Sequence, residues 1–140
     1  QITEGNEYMT QAITPTATPN ILWTSAQVQT GTNGDSTLIA ALFQDAVANA
    51  LAVSTSYTLN GGEVSSRIEY FAIASTVSAI TMRVRVGPAA AVTVTFNGAA
   101  GVQKFGGTSN SYIKIQEIMS FDLKEPANDN LHPGIFAATG

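Results

Sequence analysis

Four carboxylates lie on or near strand-like stretches of the sequence, and paired carboxylates are the groups that cleave glycosidic bonds. The four are Glu63, Glu69, Glu117 and Asp122. Hydrolysis needs two such groups about 5 to 9.5 Å apart, one protonated and one ionised. The sequence leaves such a pair open, but solvated or ion-paired acids explain the same residues more simply. We therefore predict no catalytic residues and keep a small glycan-degrading enzyme as a lesser alternative.

Other catalytic and metal-binding arrangements lack essential parts. His132 is the only histidine, it lies beside Pro133, and no neighbour in sequence would make it a base or a ligand. The chain has no cysteine, which excludes thiol nucleophiles and thiolate metal sites. Asp35 and Asp45 are the nearest approach to a calcium site, without the spacing of an EF-hand. We predict no enzyme activity, no cofactor and no metal site.

Two arginines share one face of a predicted strand at residues 80–86. Arg83 and Arg85 alternate there with Met82 and Val84, so their guanidinium groups must be solvated or paired. Pairing with Glu69 or Glu117 across a subunit boundary would fix the register of an oligomer. Ordinary solvent exposure and ligand binding are the alternatives. We predict that both arginines belong to an oligomer interface.

Four aromatic residues in predicted strands have flat rings that could stack on sugars. They are Trp23, Tyr70, Phe71 and Tyr112. Packing in a core or in an interface explains each of them more simply.

Charge is scarce in this chain. Charged residues make up 11% of it and the net charge is −4, whereas about 25% of an ordinary soluble domain is charged. The absence of a Lys/Arg cluster removes the electrostatic footprint of nucleic-acid binding. A sparsely charged surface suits a protein that buries its outside against copies of itself. We predict an obligate oligomer that does not bind nucleic acid.

The length of 140 residues fits one domain with a sizeable core. Its apolar stretches are interrupted well before the roughly 18 residues of a membrane span, so we predict no membrane insertion. Because the sequence begins with Gln1, we expect either a trimmed chain or, preferably, the end piece of a longer polypeptide.

Short alternating segments between Gly, Asn and Pro turns predict about eight strands. The clearest lie at residues 8–13, 20–30, 63–74, 80–86, 91–96 and 112–119. Residues 36–51 are ambiguous, since their propensity favours a helix while strands at 37–43 and 50–59 fit equally. The alternation as a whole predicts an all-β sandwich or barrel.

The two ends of the chain differ in composition from its middle. Residues 1–19 are Thr-rich and contain Pro15 and Pro19, which predict an extended arm. Residues 124–140 contain Pro126, Pro133 and Gly134, which predict an irregular tail. The apolar end of that tail could dock on a neighbour or fray.

Several short fragments in one order resemble a module of tailed-bacteriophage fibre-type proteins. They are Thr3-Glu4-Gly5, Ile13-Thr14-Pro15, Asn20-Ile21-Leu22, Ala41-Leu42-Phe43-Gln44-Asp45, Ala48-Asn49-Ala50-Leu51-Ala52, Phe96-Asn97-Gly98, Phe105-Gly106-Gly107 and Ser111-Tyr112-Ile113-Lys114-Ile115-Gln116-Glu117-Ile118. The resemblance covers nearly the whole chain to about Met119. It implies an antiparallel jelly-roll sandwich similar to trimeric tumour-necrosis-factor-like heads, with strands in the ambiguous segment. It also implies that the final strand lies near the three-fold axis, so Tyr112, Ile113 and Ile115 join the predicted interface.

The resemblance implies a function in the virion. We predict a jelly-roll module at residues 1–123, the extended arm included, and an irregular tail at 124–140. The module would form a homotrimer in a tail fibre or spike, contact other virion proteins and take part in host attachment. A host surface glycan is a further candidate partner, with loops at one end as the contact. The alternative is a capsid decoration protein that clamps neighbouring shell subunits with its arm or tail.

Overall fold

Most of the strands predicted from alternation form in the structure, a computed structural model that describes residues 1–120. The strands are β1 (Asn6–Ile13), β2 (Ile21–Thr32), β3 (Ser36–Gln44), β4 (Ala52–Thr58), β5 (Glu63–Ile73), β6 (Ile80–Pro88), β7 (Val94–Phe96), β8 (Gly98–Ala99), β9 (Val102–Gln103) and β10 (Tyr112–Ile118). A single 3₁₀ turn at Phe105–Gly107 is the only helical element of the described part. Within residues 1–120 no helix has the length and apolar character of a membrane span. The predicted tail at 124–140 lies outside the described residues.

The strands form two antiparallel sheets that pack face to face. The first sheet has the order β1-β6-β3-β4, and the second has the order β10-β2-β5, with β7 pairing the end of β2. Strands β8 and β9 make a separate small ribbon. The predicted all-β antiparallel sandwich is confirmed, whereas its jelly-roll connection pattern stays a prediction.

The core lies between the two sheets and follows the predicted alternation. In β2, Leu22, Ala26 and Val28 point inward, and from β6 Met82 and Val84 meet them in one buried cluster. Full burial of each of the larger side chains, Leu22, Val28, Met82 and Val84, stabilises the fold by about 1.5–3 kcal/mol. The residues that alternate with them on the same strands point outward and form the surface of the sandwich.

The ambiguous segment at residues 36–51 contains strands, as the resemblance implies. Leu42 of β3 is buried in the core and lies between Val84 of β6 and Ala52 of β4. Pairing on both sides outweighs the local helical propensity, which is a weak preference. Asp45, in the left-handed region at φ 51°, follows the strand, and its carboxylate accepts a hydrogen bond from the Thr81 N–H at 2.8 Å.

The predicted N-terminal arm contains a strand of the sandwich. Residues Asn6–Ile13 form β1, which pairs with β6 along its length. Tyr8 stacks on Phe96 with ring centroids 4.7 Å apart, and Met9 and Ile13 pack against the core. The strand predicted at residues 8–13 therefore forms within the arm, and only the sheet shows that β6 is its partner.

The region between residues 91 and 110 is more broken than predicted. The strand expected at 91–96 shortens to Val94–Phe96, and the residues between it and β10 contain β8, β9 and the 3₁₀ turn. Asn97 adopts φ 58° between β7 and β8, which ends the regular strand.

Candidate interaction surface

The outward side of the second sheet carries a continuous group of exposed and half-buried apolar side chains, here called the outer β2 face. It consists of Ile21 and Trp23 of β2, Phe71 and Ile73 of β5, and Ile118 of β10. Strand register sets these side chains in two rows, since Ile21 lies between Ile118 and Ile73 while Trp23 pairs with Phe71. Phe71 is 61% exposed and Ile73 is 69% exposed. The sequence predicts core or interface packing for Trp23 and Phe71 but does not show that β2 and β5 bring them together.

Aromatic stacking organises the centre of the outer β2 face. The rings of Trp23 and Phe71 are 5.8 Å apart at an angle of 7°. The ammonium of Lys114 lies 6.0 Å from the indole ring, on the side of β10. The two rings therefore present a flat apolar area that spans two strands.

Glu69 fixes the orientation of Trp23. Its carboxylate accepts hydrogen bonds from the indole Nε1–H at 2.5 Å, the Ser25 hydroxyl at 2.9 Å and Arg67 Nε at 2.7 Å. The hydrogen bond from Arg67, followed by that from Trp23, lowers the pKa of Glu69 below its usual value. The carboxylate therefore stays ionised, with its charge matched by the neighbouring guanidinium.

The other two aromatic residues considered for sugar stacking lie in two different environments. Tyr112 points outward on β10, is 43% exposed and lies beside Gln27 of β2. Tyr70 points inward and packs against the core. Tyr70 is thus a core residue, as the simpler interpretation expects.

The predicted interface residues do not share one surface. Arg83 and Arg85 point outward from β6 in the first sheet, whereas Tyr112 points outward from the second sheet on the opposite side of the sandwich. Ile113 and Ile115 point inward and pack against the core. A single flat contact with one neighbour therefore cannot use all of them.

The two arginines pair within their own chain. Arg83 lies 3.1 Å from the Glu7 carboxylate and Arg85 lies 3.8 Å from it. Arg85 also donates to the Gly5 carbonyl at 2.6 Å. Within one chain β1 lies beside β6 and supplies the nearest carboxylate, whereas pairing with Glu69 or Glu117 of another subunit stays a prediction.

Glu117 anchors the loop between β1 and β2. Its carboxylate accepts hydrogen bonds from the Asn20 side chain at 2.7 Å, the Thr16 N–H at 2.8 Å and the Thr16 hydroxyl at 3.0 Å. The Asn20 hydrogen bond is the largest cause of a lowered pKa at Glu117. A lowered pKa is the opposite of what a general acid needs.

The other acidic residues considered as catalytic or calcium-binding groups accept hydrogen bonds in turns, are partly buried, or lie outside the described residues. Asp35 accepts a hydrogen bond from the Asn60 N–H at 2.8 Å, as Asp45 does from Thr81. One oxygen of Glu63 is buried without a partner among residues 1–120. In that same part of the chain no group of three or more His, Cys, Asp or Glu could hold a metal ion. Asp122 and His132 lie outside the described residues.

Comparisons with known proteins add no relative: no protein-family model matches the sequence, and no curated protein matches it either.

Proposed function

We propose that this chain is a structural module of a bacteriophage tail fibre or spike, which forms a homotrimer in the virion and takes part in host attachment. The observation that carries the proposal is the outer β2 face, an apolar area on a chain of which only 11% is charged. Contiguous exposed apolar side chains of this kind mark interaction sites.

The chemistry of the outer β2 face favours association with an identical copy. Aromatic residues are enriched at the centres of protein interfaces, and charged residues are depleted there. Trp23 and Phe71 provide the aromatic centre, and the charge of Glu69 is matched by Arg67 within the same chain. Two copies can therefore approach without bringing an unmatched carboxylate into the contact.

The course of the chain supports the jelly-roll part of the proposal. Among the strands of the two sheets, β1, β2 and β3 alternate between them, the β3–β4 hairpin stays in the first sheet, and β5, β6 and β10 alternate again. A jelly roll built from two Greek keys crosses between its sheets in the same manner. Strand β10, the last strand among residues 1–120, contributes Ile118 to the outer β2 face, which agrees with the expectation that this strand lies near the trimer axis.

Two alternatives lose support from the same contacts. A glycan-degrading enzyme would need a protonated acid, whereas hydrogen bonds lower the pKa values of Glu69 and Glu117. A capsid decoration protein that clamps with its N-terminal arm would need that arm free, whereas Asn6–Ile13 is paired with β6.

The experiment that tests the proposal is a measurement of mass in dilute solution by light scattering. We expect a particle of three times the chain mass of 14.6 kDa, stable on dilution. A well-behaved monomer at every concentration would refute the homotrimer. Binding of the purified particle to candidate host cells then tests attachment separately, with heat-unfolded protein as the control.

A further inference from the structure

A groove lies on the outward side of the first sheet, on the opposite side of the sandwich from the outer β2 face. Its volume is about 500 Å³, within the roughly 300–1,000 Å³ range of ligand pockets. Its lining combines outward side chains of the sheet with residues that precede β1. They include Ile39 and Phe43 of β3, Val53 of β4, and Glu4 and Gly5.

The apolar side chains of this groove are only partly covered. Val53 is 56% exposed and Ile39 is 39% exposed. Phe43 lies outside the core cluster between the sheets, yet it is only 2% exposed. Neighbouring segments therefore already cover part of the apolar surface on this side, and the groove is the part left open.

The segment before β1 is held firmly against the sheet. Arg85 donates from Nε to the Glu4 carbonyl at 3.1 Å and from Nη2 to the Gly5 carbonyl at 2.6 Å. Gly5 has φ 67°, and a Cβ there would lie 2.6 Å from the Val86 carbonyl oxygen, so only glycine allows this close approach. The groove is thus formed in advance, and the guanidinium beside it is already engaged.

An uncharged apolar stretch of sequence follows at a distance from the last described strand. Residues 130–140 contain no Asp, Glu, Lys or Arg, and they include the adjacent large apolar residues Ile135 and Phe136. The Ser120 N–H, at the end of the described part, donates to the Asn20 side-chain oxygen at 3.2 Å. The chain therefore leaves the sandwich beside β2, fifteen residues before Ile135.

This spacing suits the groove better than the outer β2 face. Packed sheets lie about 10 Å apart, so with the side chains of both outer surfaces the path from Ser120 to the groove is on the order of 20–25 Å. A coil of 15 residues spans roughly 20 Å on average and at most about 50 Å. A tether is most effective when its average length matches the span. The outer β2 face begins beside Ser120 and would need a much shorter one.

We propose that Ile135 and Phe136 of the same chain occupy this groove and pack against Ile39, Phe43 and Val53. Apolar anchors set in a concave pocket carry most of the energy of peptide recognition. The same chain is favoured over a neighbour because the tether gives the segment an effective concentration on the order of mM. The docked segment covers apolar surface on the first sheet and leaves self-association to the outer β2 face.

Paramagnetic broadening in NMR spectra of the whole chain tests this docking. The chain contains no cysteine, so Thr139→Cys provides a single attachment point for a nitroxide label. We expect the label to broaden the backbone amide signals of Ile39 and Val53. The amide signals of Trp23 and Phe71, on the other side of the sandwich, should keep the intensity that they have with a diamagnetic label.

Variants on both sides of the contact test its specificity in the labelled chain. Phe136→Ser removes the ring, and Val53→Glu places a charge in the groove. Each should weaken docking at least about tenfold and restore the Ile39 signal. Val77→Glu is the matched control, because Val77 is also 56% exposed but lies between β5 and β6, outside the groove lining. Its broadening should equal that of the parent chain.

The inference is overturned if Ile39 and Val53 keep their intensity, if Trp23 and Phe71 are broadened in their place, or if Val53→Glu has no effect. Isotope-labelled chains refolded together with nitroxide-labelled chains of natural isotopic composition test the source of the segment. Broadening as strong in this mixture as within one chain would identify a neighbour as the source and overturn docking in the same chain. A monomer in light scattering overturns the homotrimer alone, since the docking does not depend on assembly.

Discussion

Replacement of Phe71 by alanine should dissociate the proposed trimer without unfolding the subunit. A phenylalanine presents about 200 Å² of surface, and Phe71 is 61% exposed in the single chain. Burial in a contact would remove about 90 Å² more than an alanine does, which corresponds to about 2 kcal/mol per subunit at 25 cal/mol per Å². Three copies lose about 6 kcal/mol, a roughly 10⁴-fold weaker trimer. The lost stacking on Trp23 costs the fold only about 0.2–1 kcal/mol.

Sedimentation velocity over a concentration series measures this effect. We expect Phe71→Ala to shift from trimer to monomer at concentrations where the unaltered chain remains assembled, with its thermal unfolding nearly unchanged. Tyr57→Ala is the matched control, because Tyr57 is exposed to a similar degree but lies on the first sheet. Equal assembly of Phe71→Ala and the unaltered chain, with loss of assembly in Tyr57→Ala, would refute the assignment of the interface to the outer β2 face.

Three further substitutions test the interior and the loops by urea unfolding. Glu117 has a lowered pKa, so its stabilising effect is present above its ordinary value of 4.5 and is lost as the pH falls through the folded-state pKa. Glu117→Gln should therefore reduce stability at pH 6 and flatten the loss of stability toward pH 3. Thr24→Val removes a buried hydroxyl that has no partner among residues 1–120, and should be neutral or stabilising by up to about 1 kcal/mol; a large destabilisation would contradict this. Gly31→Ala places a Cβ 2.5 Å from the Gly62 carbonyl oxygen and should lower the free energy of unfolding by about 1–3 kcal/mol. An unchanged urea midpoint would show that the backbone there moves apart freely to admit the Cβ.

Alternation predicted the strands well because it reports which side of a sheet each residue occupies. Met82 and Val84 are buried, on the side of β6 opposite Arg83 and Arg85, as expected. Alternation does not say which strand lies beside which. The pairing of β1 with β6 was therefore missed, and with it the contact of Glu7 with Arg83.

The candidate sites depended on contacts between distant parts of the chain. Trp23 and Glu69 are joined by a hydrogen bond only because β2 and β5 are neighbours in register.

The position of β10 in the sequence affects when the protein can fold and assemble during synthesis. β10 pairs with β2, so that Ile118 meets Ile21 only after almost all the described chain has been synthesised. Pairings between residues so far apart form slowly, because a long loop must close first. A nascent chain that has not yet released Ile118 lacks part of the outer β2 face. Folding would then delay self-association until β10 has been synthesised, which protects partly made subunits from premature assembly.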